Sequence, residues 1–255
     1  MDTEAFAPII ENGPQSGRLV LVCEHAANLI PPAWGDLGLT AAQRTLHIAW
    51  DIGALGLARA LAARLGAVLV HAPVSRLVVD LNRAPDRAGA MPSRSELHDI
   101  PGNSGLTPAE RLRRTQAVYL PFHNRLHDLI AGRIALGLKP VIVTVHSFTP
   151  VWFRQPRAVD FGVIHDADPG LALAIAAAAA ATTPLNSALN APYSAADEVT
   201  HTLRLHATPY GLPNAMLEVR QDLIADPAAQ GRMADVLAPV VNMGLEEIQK
   251  QAKAG

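Results

Sequence analysis

Cysteine is nearly missing from this chain: its 255 residues contain one, Cys23. A lone thiol excludes an intramolecular disulfide and fits a reducing compartment. A basic block is missing too. With 21 Lys and Arg against 23 Asp and Glu, the formal charge is -2, so the electrostatic footprint of a nucleic-acid binder is absent. No apolar run has the length of a membrane span; the least polar stretch, residues 171–181, is too short. Residues 1–17 carry Asp2, Glu4 and Glu11 and no basic residue, unlike a secretory leader. There is no Gly-rich phosphate loop, no Gly-x-Ser-x-Gly elbow and no Cys-x-x-Cys pair. These absences predict a cytoplasmic protein with neither nucleic-acid nor membrane partners. What remains is an ordinary globular composition, 49% hydrophobic and 17% charged, in a length suited to one domain over residues 1–255.

The organising stretch is the apolar run Leu19 to Cys23, which stops abruptly at Glu24 and His25. Such a Val-rich run suits a strand buried on both faces of a parallel sheet. In open α/β sheets the ligand crevice lies beyond the carboxyl ends of the strands, where Glu24 and His25 would sit. Further strands are predicted at 67–70, 77–81, 141–145, 161–164 and 215–219. Helices are predicted at 41–47 behind a Thr40 cap, at 52–65 opened by Asp51 and ended by Gly66, and at 171–181. Thr107-Pro-Ala-Glu110 is a capping box opening a helix that runs to 136 with a kink at Pro121. A terminal helix is predicted at 233–253, beyond a core of about 18–225. Residues 82–105 form a long polar loop, a length usually functional or mobile, and 183–213 read as irregular. Strands alternating with helices predict an α/β fold, one three-layer domain whose mostly parallel, mixed sheet has helices on both faces.

Several residue types in this frame can carry chemistry. His25 and His146 both end apolar strands, with Glu24 and Asp51 nearby in sequence. Catalytic zinc asks for three N/O ligands and an open fourth position. Asp51 can equally be a helix cap. His123 and His127 share one helix face at the zincin spacing, but Asn124 stands where the general-base Glu would be, and solvated histidines are the alternative. Arg76, Asn82 and Arg83 flank the 77–81 segment and suit carboxylate recognition; their other reading is a salt bridge to Asp80 or Asp86. Glu218 interrupts a buried run. It is either a general base of raised pKa or the partner of Arg220. His201, Arg204 and His206 are singled out only by their density, and Cys23 reads as a small buried hydrophobe.

Taken in order, Cys-Glu-His25-Ala-Ala-Asn, Trp50-Asp51, Ser75-Arg-Leu-Val-Val-Asp-Leu-Asn-Arg83, Val-His146-Ser-Phe, Thr200-His-Thr-Leu-Arg204 and Leu-Glu218-Val-Arg resemble the N-formylglutamate amidohydrolase family over residues 18 to 225. The resemblance implies a zinc-carboxypeptidase-like architecture, with a mixed eight-stranded sheet and one zinc per chain at the strand ends. It makes His25 and His146 metal ligands, with Asp51 as the third and Glu24 as the alternative. Glu218 becomes the catalytic glutamate. Asn82 and Arg83 become the carboxylate-binding pair, with Ser147, Arg76 and Arg204 as further substrate contacts. The implied reaction is hydrolysis of the amide of a small N-acylated acidic amino acid such as N-formylglutamate. Two rivals are a binding protein of the same fold without turnover, and a metal-independent hydrolase using Cys23 with a histidine.

Overall fold

Residues 19–23 form the strand that their apolar run predicts, and six other strands join it in one sheet. The computed structural model describes residues 6–13 and 17–254. Residues 1–5 and 14–16, part of the amino-terminal stretch discussed above, and residue 255 lie outside the described residues. In chain order the elements are β1 (Ile9–Glu11), β2 (Leu19–Cys23), α1 (Ala54–Leu65), β3 (Val68–His71), β4 (Arg94–Ser95), β5 (His98–Asp99), α2 (Pro108–Arg114), α3 (Leu120–Ala135) and β6 (Val141–Phe148). They continue with β7 (Val151–Trp152), β8 (Gln155–Pro156), β9 (Phe161–Ile164), α4 (Gly170–Thr182), β10 (Ser187–Leu189), α5 (His201–His206), β11 (Asn214–Arg220) and α6 (Pro227–Ala254).

The main sheet has the order β1-β3-β2-β6-β11-β9-β10. Its centre is parallel, while β1 on β3 and β9 on β11 run antiparallel. The described residues thus form a mixed, mostly parallel sheet of seven strands, where the resemblance implied eight. Alternation along each central strand divides the core in two. Leu19, Leu21 and Cys23 of β2, with Val141, Val143 and Val145 of β6, face the layer of α1, α4 and α6. Val20, Val22, Ile142 and Met216 face the layer that contains α3 and α5. No described helix is long and apolar enough to cross a membrane.

Four local expectations change. Residues 77–81 are buried but form turns: Val78 N–H bonds to Ser75 O, Arg83 N–H to Asp80 O, and the Ser75 hydroxyl accepts from Leu77 N–H. An apolar run records burial, and here no neighbouring strand takes up its backbone groups. The helix beginning at 52 in fact begins at Ala54, behind Gly53 at φ +82, so Asp51 is not its cap. A Cβ on Gly53 would stand 2.3 Å from the Ile224 carbonyl oxygen, so only glycine permits this turn. The 41–47 helix is reduced to one short turn, Gln43–Thr45, although the Thr40 hydroxyl does accept from Gln43 N–H. The irregular 183–213 region contains β10 and α5.

The other predicted helices are present with modest adjustments. The capping box at Thr107 forms as predicted. The helix it opens contains a π-turn at Thr115–Tyr119, just before Pro121. That widening accommodates a ring with no N–H to offer the preceding turn. The terminal helix starts earlier than predicted, at Pro227.

Candidate active site

The site is assembled by register. In the parallel β6–β11 pair, His146 lies beside Glu218; Val22 of β2 lies beside Thr144, which carries Glu24 alongside His146. All three therefore project from the same face of adjacent strands, at their carboxyl ends. His25 follows Glu24, and Asp51 is drawn in by its backbone, whose N–H donates to His25 O at 2.9 Å.

His25, Asp51 and His146 are buried, and their ligand atoms lie within 4.8 Å of one another, so this group could hold a metal ion. Asp51 Oδ2 is 3.3 Å from His25 Nδ1 and 2.8 Å from His146 Nδ1. The opposite nitrogens face other carboxylates. His25 Nε2 is 2.8 Å from Asp80 Oδ1, and His146 Nε2 is 3.2 Å from Glu24 Oε2. All four imidazole nitrogens face carboxylates, which only accept; with a hydrogen kept on each Nε2, the two Nδ1 lone pairs and Asp51 are left to share a proton or a metal ion. Three lone-pair donors meeting at one point require a cation between them, a proton or a metal ion. The outer carboxylates fix tautomer and ring orientation, as supporting residues do around metal-binding histidines.

Charge agrees with that fit. Glu24, Asp51 and Asp80 are buried; Arg76 pairs with Asp51 and Asp80, and Glu24 faces His146. Burial would raise the Asp51 pKa, but the charges and hydrogen bonds of His25 and His146 hold it far below the usual carboxylate range. His146 is pushed well above the ordinary histidine value, because Glu24 and Asp51 outweigh the effect of burial. His25 is raised as well, Asp80 and Asp51 overcoming burial and the Arg76 charge. The cluster attracts positive charge.

A cleft of about 440 Å³ opens over this cluster, lined by His25, Asp51, Arg76, Asn82, Arg83, His146, Ser147 and Glu218 among others. Glu218 is buried, and its Oε2 has no hydrogen-bond partner among the described residues. Burial is the largest cause that pushes its pKa up to about 7. The alternative partner is occupied elsewhere: Arg220 bonds Asp160 and Asp222, each at 2.8 Å.

The remaining sequence candidates divide. Arg83 lines the cleft, donating to Asp197 O at 2.9 Å and lying 3.9 Å from Asp80. Asn82 is buried with its side chain bonded to Val199 O and Thr202 N–H, so it anchors the loop. Arg76 spans Asp51 (3.2 Å) and Asp80 (2.6 Å). The expected salt bridge to Asp80 is therefore present, and Asp80 supports His25 besides. Ser147 donates its hydroxyl to Ile52 O. Glu24 stands behind His146 rather than in the cleft lining.

Arg204 is not brought in: it lies outside the lining, paired with Asp166 at 3.2 Å. His123, expected in solvent, is buried between His206 Nε2 and Leu81 O, each 2.9 Å away, while His127 is exposed. Cys23 faces the opposite core, and burial raises its thiol pKa well above normal. It is no nucleophile for this cleft.

Sequence reasoning missed His47, Glu96, Trp152 and Tyr193, all in the lining. They come from loops and short hairpins that have no apolar period to mark them. Glu96 joins the two hairpins, lying 3.0 Å from His47 Nε2 and accepting Phe153 N–H at 2.9 Å.

With this geometry the similarities to known proteins are coherent. The family model described as N-formylglutamate amidohydrolase matches residues 17–225. The solved structure of gene product Atu2144 from Agrobacterium tumefaciens is similar at a TM-score of 0.94, with 47% identity over 98% of each chain. N-formylglutamate amidohydrolase from Ralstonia eutropha JMP134 is similar at a TM-score of 0.69, covering 96% of this chain and 99% of that one; at 18% identity this likeness shows the fold. No curated protein matched in sequence. The family match runs from the residue before Arg18 to beyond β11, taking in every strand that delivers a site residue, and the chain belongs to the N-formylglutamate amidohydrolase family.

Proposed function

We propose that the protein is a metal-dependent amidohydrolase cleaving the amide of a small N-acylated acidic amino acid such as N-formylglutamate. The observation carrying this reading is the meeting of three buried lone-pair donors beside a carboxyl group of raised pKa in one cleft. His25, Asp51 and His146 would hold one ion per chain, and the N/O donor set suits zinc. When bound, the ion supplies Lewis-acid polarisation of the acyl oxygen and lowers the pKa of a water.

The chain's own residues do the rest. Glu218 takes a proton from the attacking water as its oxygen bonds to the acyl carbon and the carbonyl electron pair moves onto oxygen. When that pair returns, the C–N bond breaks and Glu218 passes its proton to the departing nitrogen, leaving the free acid and the amino acid. A pKa near 7 suits a group that must accept and then donate. Arg83 grips the substrate carboxylate through the guanidinium edge that its contact with Asp197 leaves free. Asn82 holds Arg83's loop against the segment around Val199 and Thr202. Arg76 keeps Asp51 and Asp80 aligned.

The test is metal content together with hydrolysis of formyl-, acetyl- and succinyl-amino acids by the purified protein. About one bound ion per chain, lost in His146→Ala with the fold intact, and turnover of at least one acidic substrate are expected. Full metal content in His146→Ala would remove the site; binding without turnover across the panel would leave a non-catalytic relative.

A further inference from the structure

The cleft has a second polar wall, opposite in sequence origin to the residues above, and it is built around Tyr193. Glu218 on β11 faces Gly162 on β9 in register, and paired residues of an antiparallel ladder project to the same side. Gly162 contributes no side chain there. A Cβ at that position would lie 2.0 Å from the Ala191 carbonyl oxygen, so the glycine is what lets residues 191–193 approach next to Glu218. Tyr193 lines the cleft, and its hydroxyl feels the charges of Glu218 and Arg76.

Arg157 sets the direction of that hydroxyl. Its guanidinium is held over the rings of Phe148, Trp152 and Tyr193 at 4.8 to 5.5 Å, and Nη1 donates to the Tyr193 oxygen at 2.9 Å. No acidic side chain pairs with Arg157 among the described residues. Arginine has donors only, so Tyr193 must be the acceptor in this contact. Its own proton is then left to be given away, and no described protein group takes it. Burial and the Glu218 charge outweigh Arg157 and raise the Tyr193 pKa, so the hydroxyl keeps the proton it has to donate.

Building on the proposed amide hydrolysis, we infer that Tyr193 is a catalytic residue whose hydroxyl donates to the acyl oxygen as that oxygen gains charge, with Arg157 as its positioning residue. As water's oxygen bonds to the acyl carbon, the carbonyl electron pair moves onto the acyl oxygen. A donor prearranged at the Glu218 side of the cleft stabilises that charge more than the neutral carbonyl. No proton changes hands at Tyr193: the hydrogen bond strengthens and then relaxes when the C–N bond breaks.

The experiment compares wild type, Tyr193→Phe, Arg157→Met, the double variant and Glu218→Gln on the N-acyl amino acid panel, with melting curves to confirm folding. Tyr193→Phe keeps the ring that Arg157 stacks on. It is expected to lower kcat about 10²-fold while KM changes little and the acid limb of the pH–rate profile stays in place. Arg157→Met should lower kcat less, and adding it to Tyr193→Phe should cost nothing further, because it acts through that hydroxyl. A near-normal kcat in Tyr193→Phe, a rise in KM alone, or additive losses in the double variant would each overturn the assignment. Wild-type protein that turns over no substrate would instead overturn the amidohydrolase reading itself, and this role with it.

Discussion

Replacing Glu218 by Gln should disable the enzyme while making the protein more stable. In an unfolded chain the carboxyl titrates at its ordinary 4.5, whereas burial pushes it up to about 7 in the folded protein. The folded state therefore binds the proton more tightly. Its advantage is complete below pH 4.5 and is lost as pH rises through 7. At about 1.4 kcal/mol per pH unit, that interval corresponds to about 3 kcal/mol of stability given up by pH 8. Gln has the shape of the protonated acid and no such loss. Arg220, the partner that would have made Glu218 structural, is held by Asp160 and Asp222. Chelator-treated wild type and Glu218→Gln, melted between pH 4 and pH 8.5, should thus have similar midpoints at the acid end. They should separate progressively toward pH 8, where the variant gains about 6–12 °C for a chain of this length. Added zinc should narrow the gap, since a nearby cation favours the carboxylate. In preparations that have not been treated with chelator, kcat should fall by about 10²–10⁴-fold with metal content unchanged. A variant that is less stable at pH 8, or that retains its kcat, would refute the assignment of a buried, unpaired general base.

Three further outcomes follow from the same geometry. Arg83→Met should raise KM about 10- to 100-fold for substrates with a carboxylate and leave kcat nearly unchanged, because the lost charge-assisted contact serves ground and transition states alike; steady-state kinetics on acid and amide forms of one substrate decide it. Asp51→Asn should nearly abolish metal binding, whereas Glu24→Gln, which alters the group behind the outer nitrogen of His146, should weaken it about 10- to 100-fold; competitive chelator titration gives both, and the reverse order would make Glu24 the ligand. Gly53→Ala forces a positive φ on a residue with a side chain and drives it into the Ile224 carbonyl, so thermal melts should show a loss of more than 1 kcal/mol.

The ordered polar residues at strand ends were legible because strand periodicity is short-ranged and strict. Glu24, His146 and Glu218 follow or interrupt apolar runs, and a strand of buried residues must deliver what comes next to the sheet edge. The misreadings have one origin. The 77–81 run looked like a strand because burial alone makes a run apolar, while pairing depends on a neighbour that the chain does not announce. Asp51 looked like a helix cap because the left-handed turn at Gly53 is set by contact with Ile224, far along the chain. Arg204 belonged to the same dense stretch as Thr202, yet its side chain reaches out to Asp166 while the Thr202 backbone N–H donates to Asn82.

The sequence by itself determined the sheet-based architecture, the apolar strands, the capping box at Thr107 and the pool of ionisable residues from which a site could be drawn. Those properties are local: alternation, capping and hydrophobic runs act over a few residues. Only the tertiary structure decided which oxygen faces which nitrogen. It placed Asp51 between two imidazoles, put Glu24 and Asp80 behind them, sent Arg220 away from Glu218, and brought Arg157 onto Tyr193. Each of those choices is made by strand order and register, which bring together residues 26 to 122 positions apart, and by burial, which gives a contact its energy only after the surrounding layers have closed.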